Sequence, residues 1–371
     1  MPRDGPPGTV TVHSAASAPE ATYLPALDGV RAVSILLVVA SHLGLGQVVP
    51  GAFGVTLFFF ISGYLITRQL AASLGRTGHI DFAAFYTRRA LRLLPAAAAY
   101  IALAGAAYVA AGGRITPAGW SAAALYGANY YDIWAGYRGT LAGIRHPFNI
   151  LWSLAIEEHF YALWPLALAA LWHRRGAVPA LVALCLAELL WRAWLFDSCF
   201  APGAPAMCGP VNPNPLWRYN RLYLATDTRL DSIAWGALLA LIPLRPSRAW
   251  AWQGLALVAV SFALPGPFGR HVLRPTLQGV GLLAAFPMLL APGPTVARVL
   301  SRPGAVLLGR LSYSLYLWHW GALAVADFAA PAGGATWLAV AVPLSAGLAC
   351  ASYWGIERPM LRVRRGFGSQ V

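Results

Sequence analysis

The chemistry this sequence could carry is concentrated in a few polar residues set inside long apolar runs. Arg31 and His42 stand eleven residues apart in LDGVRAVSILLVVASH, Leu27 to His42. On a regular helix that spacing is close to three turns, which puts both side chains on one face, roughly 16 Å apart along the axis. A neutral imidazole can take a proton near neutral pH, and a guanidinium on the same face can hold an anion or an oxyanion. Asp28, three residues before Arg31, is placed to cap the helix and to pair with that arginine. The plainer alternative is that Arg31 snorkels to the interface and His42 only bonds a neighbouring helix. A histidine sharing a face with a buried arginine favours chemistry.

The strongest signal lies further on, in LWSLAIEEHFYALWP, Leu151 to Pro165. Glu157, Glu158, His159 and Tyr161 are too polar for a helix facing lipid. Glu157, Tyr161 and Trp164 share one face by their spacing. The alternative to a catalytic or binding site is a proton or ion pathway, also a function. Between these segments, FYTRRALRLLP (Phe85 to Pro95) reads as a loop with a dense cationic patch of Arg88, Arg89 and Arg92. Arginines one helical turn apart can grip phosphates by charge and fork geometry. Ordinary topology also explains them, because cytoplasmic loops of membrane proteins collect arginine.

Other segments say less alone. LFFFISGYL, Leu57 to Leu65, carries Ser62, Gly63 and Tyr64. Ser62 and Gly63 suffice as a close helix contact, and the glycine-flanked elbow of serine hydrolases is missing. In TDTRLDSIAWG, Thr226 to Gly236, Asp227, Arg229 and Asp231 enter the span together, and an internal Arg–Asp pairing is expected to neutralise them there. In LGRLSYSLYLWH, Leu308 to His319, Tyr313, Tyr316 and His319 recur at helical spacing. A packed aromatic face accounts for the tyrosines, whereas a histidine deep in a span leans towards function.

These residues must be positioned by membrane helices. The chain has 371 residues, of which 58% are hydrophobic and only 11% charged, against roughly 25% charged in a soluble domain. The apolar runs approach or exceed the roughly 20 residues needed to cross a bilayer as a helix. The net charge of +14 comes entirely from arginines, since no lysine is present. They sit in short clusters between apolar runs, the pattern of cytoplasmic loops, so nucleic acid is excluded as a partner. Spans are expected near residues 30–47, 51–72, 93–111, 150–172, 177–196, 222–244, 250–265, 276–291, 305–328 and 336–356. Charge counting works only if the tyrosine-rich stretch 120–134 does not cross. The expectation is an all-α polytopic transmembrane bundle of about ten helices, with one interfacial or re-entrant segment and both termini cytoplasmic. Residues 1–22 read as a disordered cytoplasmic tail, 23–358 as the membrane domain and 359–371 as a cytoplasmic C-terminal tail. No Cys/His cluster has metal spacing, so no metal is expected. Cys199 and Cys208 bracket a short Pro/Gly-rich segment in a loop that charge counting places outside the cytoplasm, where a disulfide between them is expected.

Taken in order, these segments resemble the acyltransferase-3 family of bacterial membrane proteins. The arginine, ten residues, histidine opening is followed by FFFISGYL, FYTRRALRLLP, WSLAIEEHFYALWP, TRLDSIAWG, LSYSLYLWH and a final IERP, Ile356 to Pro359. The resemblance covers nearly the whole chain from Leu24. It implies transfer of an acyl group, often acetyl, from acyl-CoA as donor substrate to a hydroxyl of a carbohydrate or glycosylated acceptor, in the bacterial inner membrane, with no permanently bound cofactor. It implies that Arg31 and His42 are the family's essential pair, that Arg89 and Arg92 engage the donor beside Arg88, and that Glu157 is the family's conserved glutamate. His42 is then expected as general base, Arg31 as the charge on substrate or oxyanion, and Glu157 as the group that orients the histidine or binds the acceptor. A covalent acyl-histidine is a second route. Ser62, Tyr64, Tyr161, Arg229, Asp231, Tyr313 and His319 are expected to contact substrate. Some relatives carry a fused SGNH hydrolase-like domain outside the membrane. This chain is expected to lack it, so that a partner enzyme would be separate; no protein partner can be assigned. A macrolide-type natural-product acyltransferase is an alternative within the class, and a transporter of sugars or organic anions is the rival from another class.

Overall fold

A computed structural model describes residues 23–135, 141, 143–199, 208, 220–291 and 293–365. The expected N-terminal tail over 1–22 lies outside them. The described residues are almost all helical and contain no strand. The helices are α1 (Pro25–Ala40), α2 (Gly51–Thr77), α3 (Phe82–Ala110), α4 (Pro117–Ala124), α5 (Ala128–Trp134), α6 (Trp152–Trp172), α7 (Ala177–Cys199) and α8 (Asn220–Leu224). They continue as α9 (Leu230–Leu241), α10 (Arg248–Ala263), α11 (Gly266–Phe268), α12 (Arg274–Leu290), α13 (Thr295–Leu300), α14 (Pro303–Ala329), α15 (Ala335–Ser352) and α16 (Arg358–Arg365).

Among the described residues, six helical segments are long and apolar enough to cross a membrane: Pro25–Leu45, Gly51–Thr77, Phe82–Ala110, Ala177–Cys199, Gly266–Leu290 and Ala335–Arg364. The remaining expected spans fail that test for physical reasons. Helix α9 has 12 residues, about 18 Å at 1.5 Å per residue, because the chain before it turns through Thr226–Thr228. Helices α6 and α14, with 21 and 27 residues, have the length. They also carry polar residues, Glu157, Glu158 and His159 on α6 and Arg310, His319 and Asp327 on α14.

The stretch 120–134 forms two short helices, α4 and α5, of 8 and 7 residues. Tyr126, in the left-handed region at φ 56°, separates them. Neither can span a bilayer, in keeping with the interfacial or re-entrant reading. The arginine cluster, by contrast, is not a loop. Asp81 accepts a hydrogen bond from the Ala84 amide at 2.9 Å and starts α3 eleven residues before the expected span, so Arg88, Arg89 and Arg92 are helical. A side-chain oxygen at the N-cap satisfies one of the amides that a helix start leaves open.

Two glycines bring α2 and α9 together. A methyl group on Gly63 would stand 1.9 Å from the Ile233 carbonyl oxygen, and one on Gly236 would stand 1.8 Å from that of Phe60. The backbones therefore touch, as small residues allow in a membrane bundle. Gly236→Val is expected to force the pair apart at a cost of about 1–3 kcal/mol. The check is the thermal midpoint of the purified protein in detergent; an unchanged midpoint would refute the contact. At the opposite end of the chain's polarity scale, Cys199 and Cys208 form the expected disulfide, and Cys185 and Cys350 are free thiols.

Candidate active site

Helices α1, α2, α3, α6 and α14 enclose a cavity of about 70 Å³. Arg31 enters it from α1, Ser62 from α2, Arg89 and Arg92 from α3, Glu157 and Tyr161 from α6, and Tyr313 from α14. Three guanidinium groups thus face one space with a single carboxylate among its lining residues. Each is held differently. Arg31 pairs with Asp28 at 3.5 Å. That carboxylate also accepts from the Tyr23 hydroxyl at 2.6 Å and lies 3.9 Å from Arg310. Asp28 sits inside the first turn of α1, whose cap is Leu24, so it pairs with Arg31 without capping the helix. The Arg89 guanidinium lies over the Tyr161 ring, 4.0 Å from its centroid, a cation–π contact that keeps its N–H edges free for other partners. Arg88 is not among the lining residues.

Glu157 is fixed by two hydroxyls, Ser62 Oγ and Tyr161 Oη, both donating to Oε1. The Tyr313 hydroxyl donates to the Leu93 carbonyl at 2.8 Å. Ser153 and Tyr316 also line it and are joined by their hydroxyls, with Tyr316 also 3.1 Å from the Ile150 carbonyl.

His42 stands apart from this cavity. The α-helix ends at Ala40 and the chain continues as a π-turn, Ser41–Leu45, bent at Gly44 with φ 101°. The backbone is still α-helical at Ser41 and the bend at Gly44 falls two residues beyond His42, so the spacing from Arg31 holds as far as the histidine, yet His42 is not among the residues lining the cavity. The imidazole instead meets His319 of α14. Their Nδ1 and Nε2 atoms are 2.9 Å apart and the rings lie nearly parallel, 7° between planes. Trp320 meets the His42 ring edge-on at 4.9 Å. The Arg145 guanidinium lies 5.1 Å from the Trp320 centroid and donates to Asp327 at 2.7 and 3.1 Å. Tyr316 joins the two places: it lines the cavity, and its ring is 6.0 Å from that of His319.

Several expected site residues are placed elsewhere. Glu157 does not orient His42, because its carboxylate is engaged inside the cavity. His319 contacts the histidine and is not a cavity residue. Tyr64 packs in an apolar cluster with Leu27, Val30 and Phe60. Asp231 makes no direct ion pair with Arg229, which is the N-cap of α9 and has a non-helical backbone at φ −134°. It accepts instead from Arg192 Nη2 at 2.8 Å, and Asp227 pairs with Arg221 at 2.5 Å. Arg229 lies over Phe59 and Tyr223, 5.9 and 5.4 Å from their centroids, and donates to Thr56 Oγ1 at 3.3 Å.

A cationic cavity on one side of a tyrosine and a histidine pair on the other is a layout for two substrates. Comparison with known proteins decides the class, since a model described as an acyltransferase domain matches residues 24–354. The chain belongs to the acyltransferase-3 family. It is 29% identical to O-acetyltransferase OatA of Staphylococcus aureus (strain NCTC 8325 / PS 47), over 80% of this chain and 50% of that protein. It is also 29% identical to the putative peptidoglycan O-acetyltransferase YrhL of Bacillus subtilis (strain 168), over 91% of this chain and 55% of that protein. The chain thus spans about half the length of the curated relatives it matches. No solved structure matches it significantly.

Some residues of interest gave a weak signal or none. Ser153 is an ordinary helix residue, and Tyr316 one tyrosine of an aromatic face, until the fold brings them to the cavity. Glu357 of the IERP segment is buried and accepts from the Ser314 hydroxyl. Glu188 and Arg192 of α7 did leave a trace, two opposite charges four residues apart inside an apolar run.

Proposed function

We propose that this chain moves an acyl group, acetyl in the first instance, from acyl-CoA to a hydroxyl of a carbohydrate or glycosylated acceptor such as a cell-surface polysaccharide. It does so in the cytoplasmic membrane, crossing about ten times with both termini in the cytoplasm. The observation that carries this reading is the convergence of Arg31, Arg89 and Arg92 on one cavity in a chain of this family. Three guanidiniums in a space with one carboxylate suit a polyphosphate, and coenzyme A supplies phosphates at the end remote from its thioester. The relatives' names add the acceptor class: an O-acetyltransferase acts on hydroxyls, and the Bacillus relative is named for peptidoglycan.

In the reaction, His42 takes the proton of the acceptor hydroxyl. The oxygen bonds to the acyl carbon, the carbon–sulfur bond breaks, and the leaving thiolate takes up a proton as the imidazolium gives its own back through solvent, which returns His42 to the neutral base. Tyr316 lines the donor cavity and its ring lies 6.0 Å from that of His319, so the acyl end of the donor must reach or pass it.

Incubating the purified protein with labelled acetyl-CoA tests the reading: thioester loss or label on the protein or on added glycan supports it, whereas intact thioester with flux of sugar across vesicles would favour a transporter. Within that assay, Arg89→Ala or Arg92→Ala is expected to weaken donor binding by about 1.5–3 kcal/mol, the worth of one charge-assisted hydrogen bond. Donor affinity unchanged by both substitutions would remove the arginines from the donor site.

A further inference from the structure

Two neighbouring histidines leave open which ring nitrogen carries the reactive lone pair. The hydrogen bonds around them close that question by elimination. His319 is fully buried, and its Nδ1 lies 2.8 Å from the Leu315 carbonyl oxygen. A carbonyl can only accept, so His319 Nδ1 carries a proton. Neither imidazole contacts a carboxylate that would hold a second proton on the pair: Asp327, on the same helix as His319, is engaged by Arg145 and Trp337. Each ring therefore has one N–H. His319 Nε2 is then a lone pair, and the 2.9 Å contact requires His42 Nδ1 to be the donor. It follows that His42 Nε2 is unprotonated.

We infer that His319 is a positioning residue: by accepting from His42 Nδ1–H it fixes the tautomer and the ring plane that aim a free Nε2 lone pair at the acceptor hydroxyl. The chain of bonds, Leu315 carbonyl to His319 to His42, does for this base what a carboxylate or carbonyl behind a histidine does elsewhere. Its parts suit the task. His319 cannot rotate away, being fully buried in α14 with its own Nδ1 tied to the preceding turn. His42 sits on a π-turn that would otherwise leave it loosely oriented, and the edge of Trp320 fixes its other side. Trp320 is itself held by its indole N–H on the His146 carbonyl at 2.9 Å. His42 keeps partial exposure while His319 has none, so of the two rings only His42 can meet a substrate. This assignment also accounts for a histidine in an apolar span without giving it a substrate contact.

The inference rests on the acyl-transfer reading, and the experiment separates the two. Glutamine can place its Oε1 where His319 Nε2 stands and accept the same bond; alanine and leucine cannot. His319→Leu and His319→Ala are expected to lower kcat for transfer from labelled acetyl-CoA by about 10- to 100-fold, the usual cost of losing an orienting partner, with KM for the donor unchanged. His319→Gln is expected to restore most of the rate. Gln no better than Ala, with all variants inserted equally, would overturn the positioning role; so would a loss that falls on KM and leaves kcat alone. Independently of activity, 15N spectra of the full-length protein labelled at histidine should show His42 protonated at Nδ1 and bare at Nε2, the His42 signals being assigned by their loss in His42→Ala. A His42 protonated at Nε2 would refute the assignment. If the spectrum shows the expected tautomer in a protein that transfers no acyl group, the acyl-transfer reading fails and the tautomer stands.

Discussion

His42→Ala is expected to lower acyl transfer by roughly 100- to 10,000-fold, the usual contribution of a positioned base, while the protein still inserts and folds. The two halves of that expectation come from different places. The chemical half rests on an imidazole with one nitrogen engaged by His319 and the other available. The structural half rests on what His42 contributes to stability, which is small. It makes one side-chain hydrogen bond and one edge contact with Trp320, it is only partly buried, and removing a polar group from an apolar span lowers the cost of insertion. The residue left with an unmet acceptor is His319, whose Nδ1 bond to Leu315 survives. The measurement is transfer from labelled acetyl-CoA in membranes, normalised to inserted protein, with donor binding followed separately. Donor binding should persist, since His42 is not among the residues lining the cavity that holds Arg31, Arg89 and Arg92. A His42→Ala protein with near-normal turnover would remove His42 as the base and leave Glu157, fixed inside the cavity, as the next candidate. Loss of donor binding together with activity would mean that the two places form one site.

How far the sequence reaches is clearest in α1. Its apolar run, its early Arg31 and its late His42 are all legible, and so is the membrane helix they belong to. The relation between the two side chains is not. Periodicity sets a face but not what packs along it: Arg31 lines the cavity, whereas His42, near the helix end, meets His319 of α14. The cavity residues came from different signals: Glu157 and Tyr161 stood out as polar groups in an apolar span, Arg89 and Arg92 as a cationic cluster, and Ser62 and Tyr313 through the family resemblance, and all of them converge. Ser153 did not stand out, because serine is common in membrane helices, and Tyr316 was legible only as part of an aromatic face; packing gives both their position. Cys199 and Cys208 were paired correctly because the pairing needed only proximity in sequence and an oxidising side. Proximity says less about the Arg–Asp pairing expected within TDTRLDSIAWG: Asp227 pairs with Arg221, just outside that segment, and the partner of Asp231 lies 39 residues away on α7.

That partner gives the largest stability effect expected of any single residue. Arg192 has no exposed surface and joins three parts of the bundle. Its Nη2 donates to Asp231 at 2.8 Å and to Thr276 Oγ1 at 2.6 Å, its Nη1 to the Thr228 carbonyl at 2.9 Å, and its Nε to the Val272 carbonyl at 3.2 Å. Glu188, one turn earlier, lies 3.8 Å from Nη1 and accepts from the Asp231 amide at 2.9 Å, its other oxygen having no partner. Arg192→Met keeps most of the stem and removes the charge. Asp231 and Glu188 are then two buried carboxylates with no cation in contact, and a buried pair broken from one side costs about 3–5 kcal/mol. A stability of roughly 5–15 kcal/mol leaves little margin for that, so the expected result is a steep fall in folded protein and in the thermal midpoint in detergent. The second variant makes the cause testable. In Arg192→Met with Asp231→Asn and Glu188→Gln the stranded charges are gone and the shapes remain, and most of the lost midpoint should return. If the triple variant is no more stable than Arg192→Met, the arginine acts through its hydrogen bonds to Thr228, Val272 and Thr276 and not through charge. If Arg192→Met itself melts like the wild type, water reaches this network and the bundle is more open between α7, α9 and α12 than its packing implies.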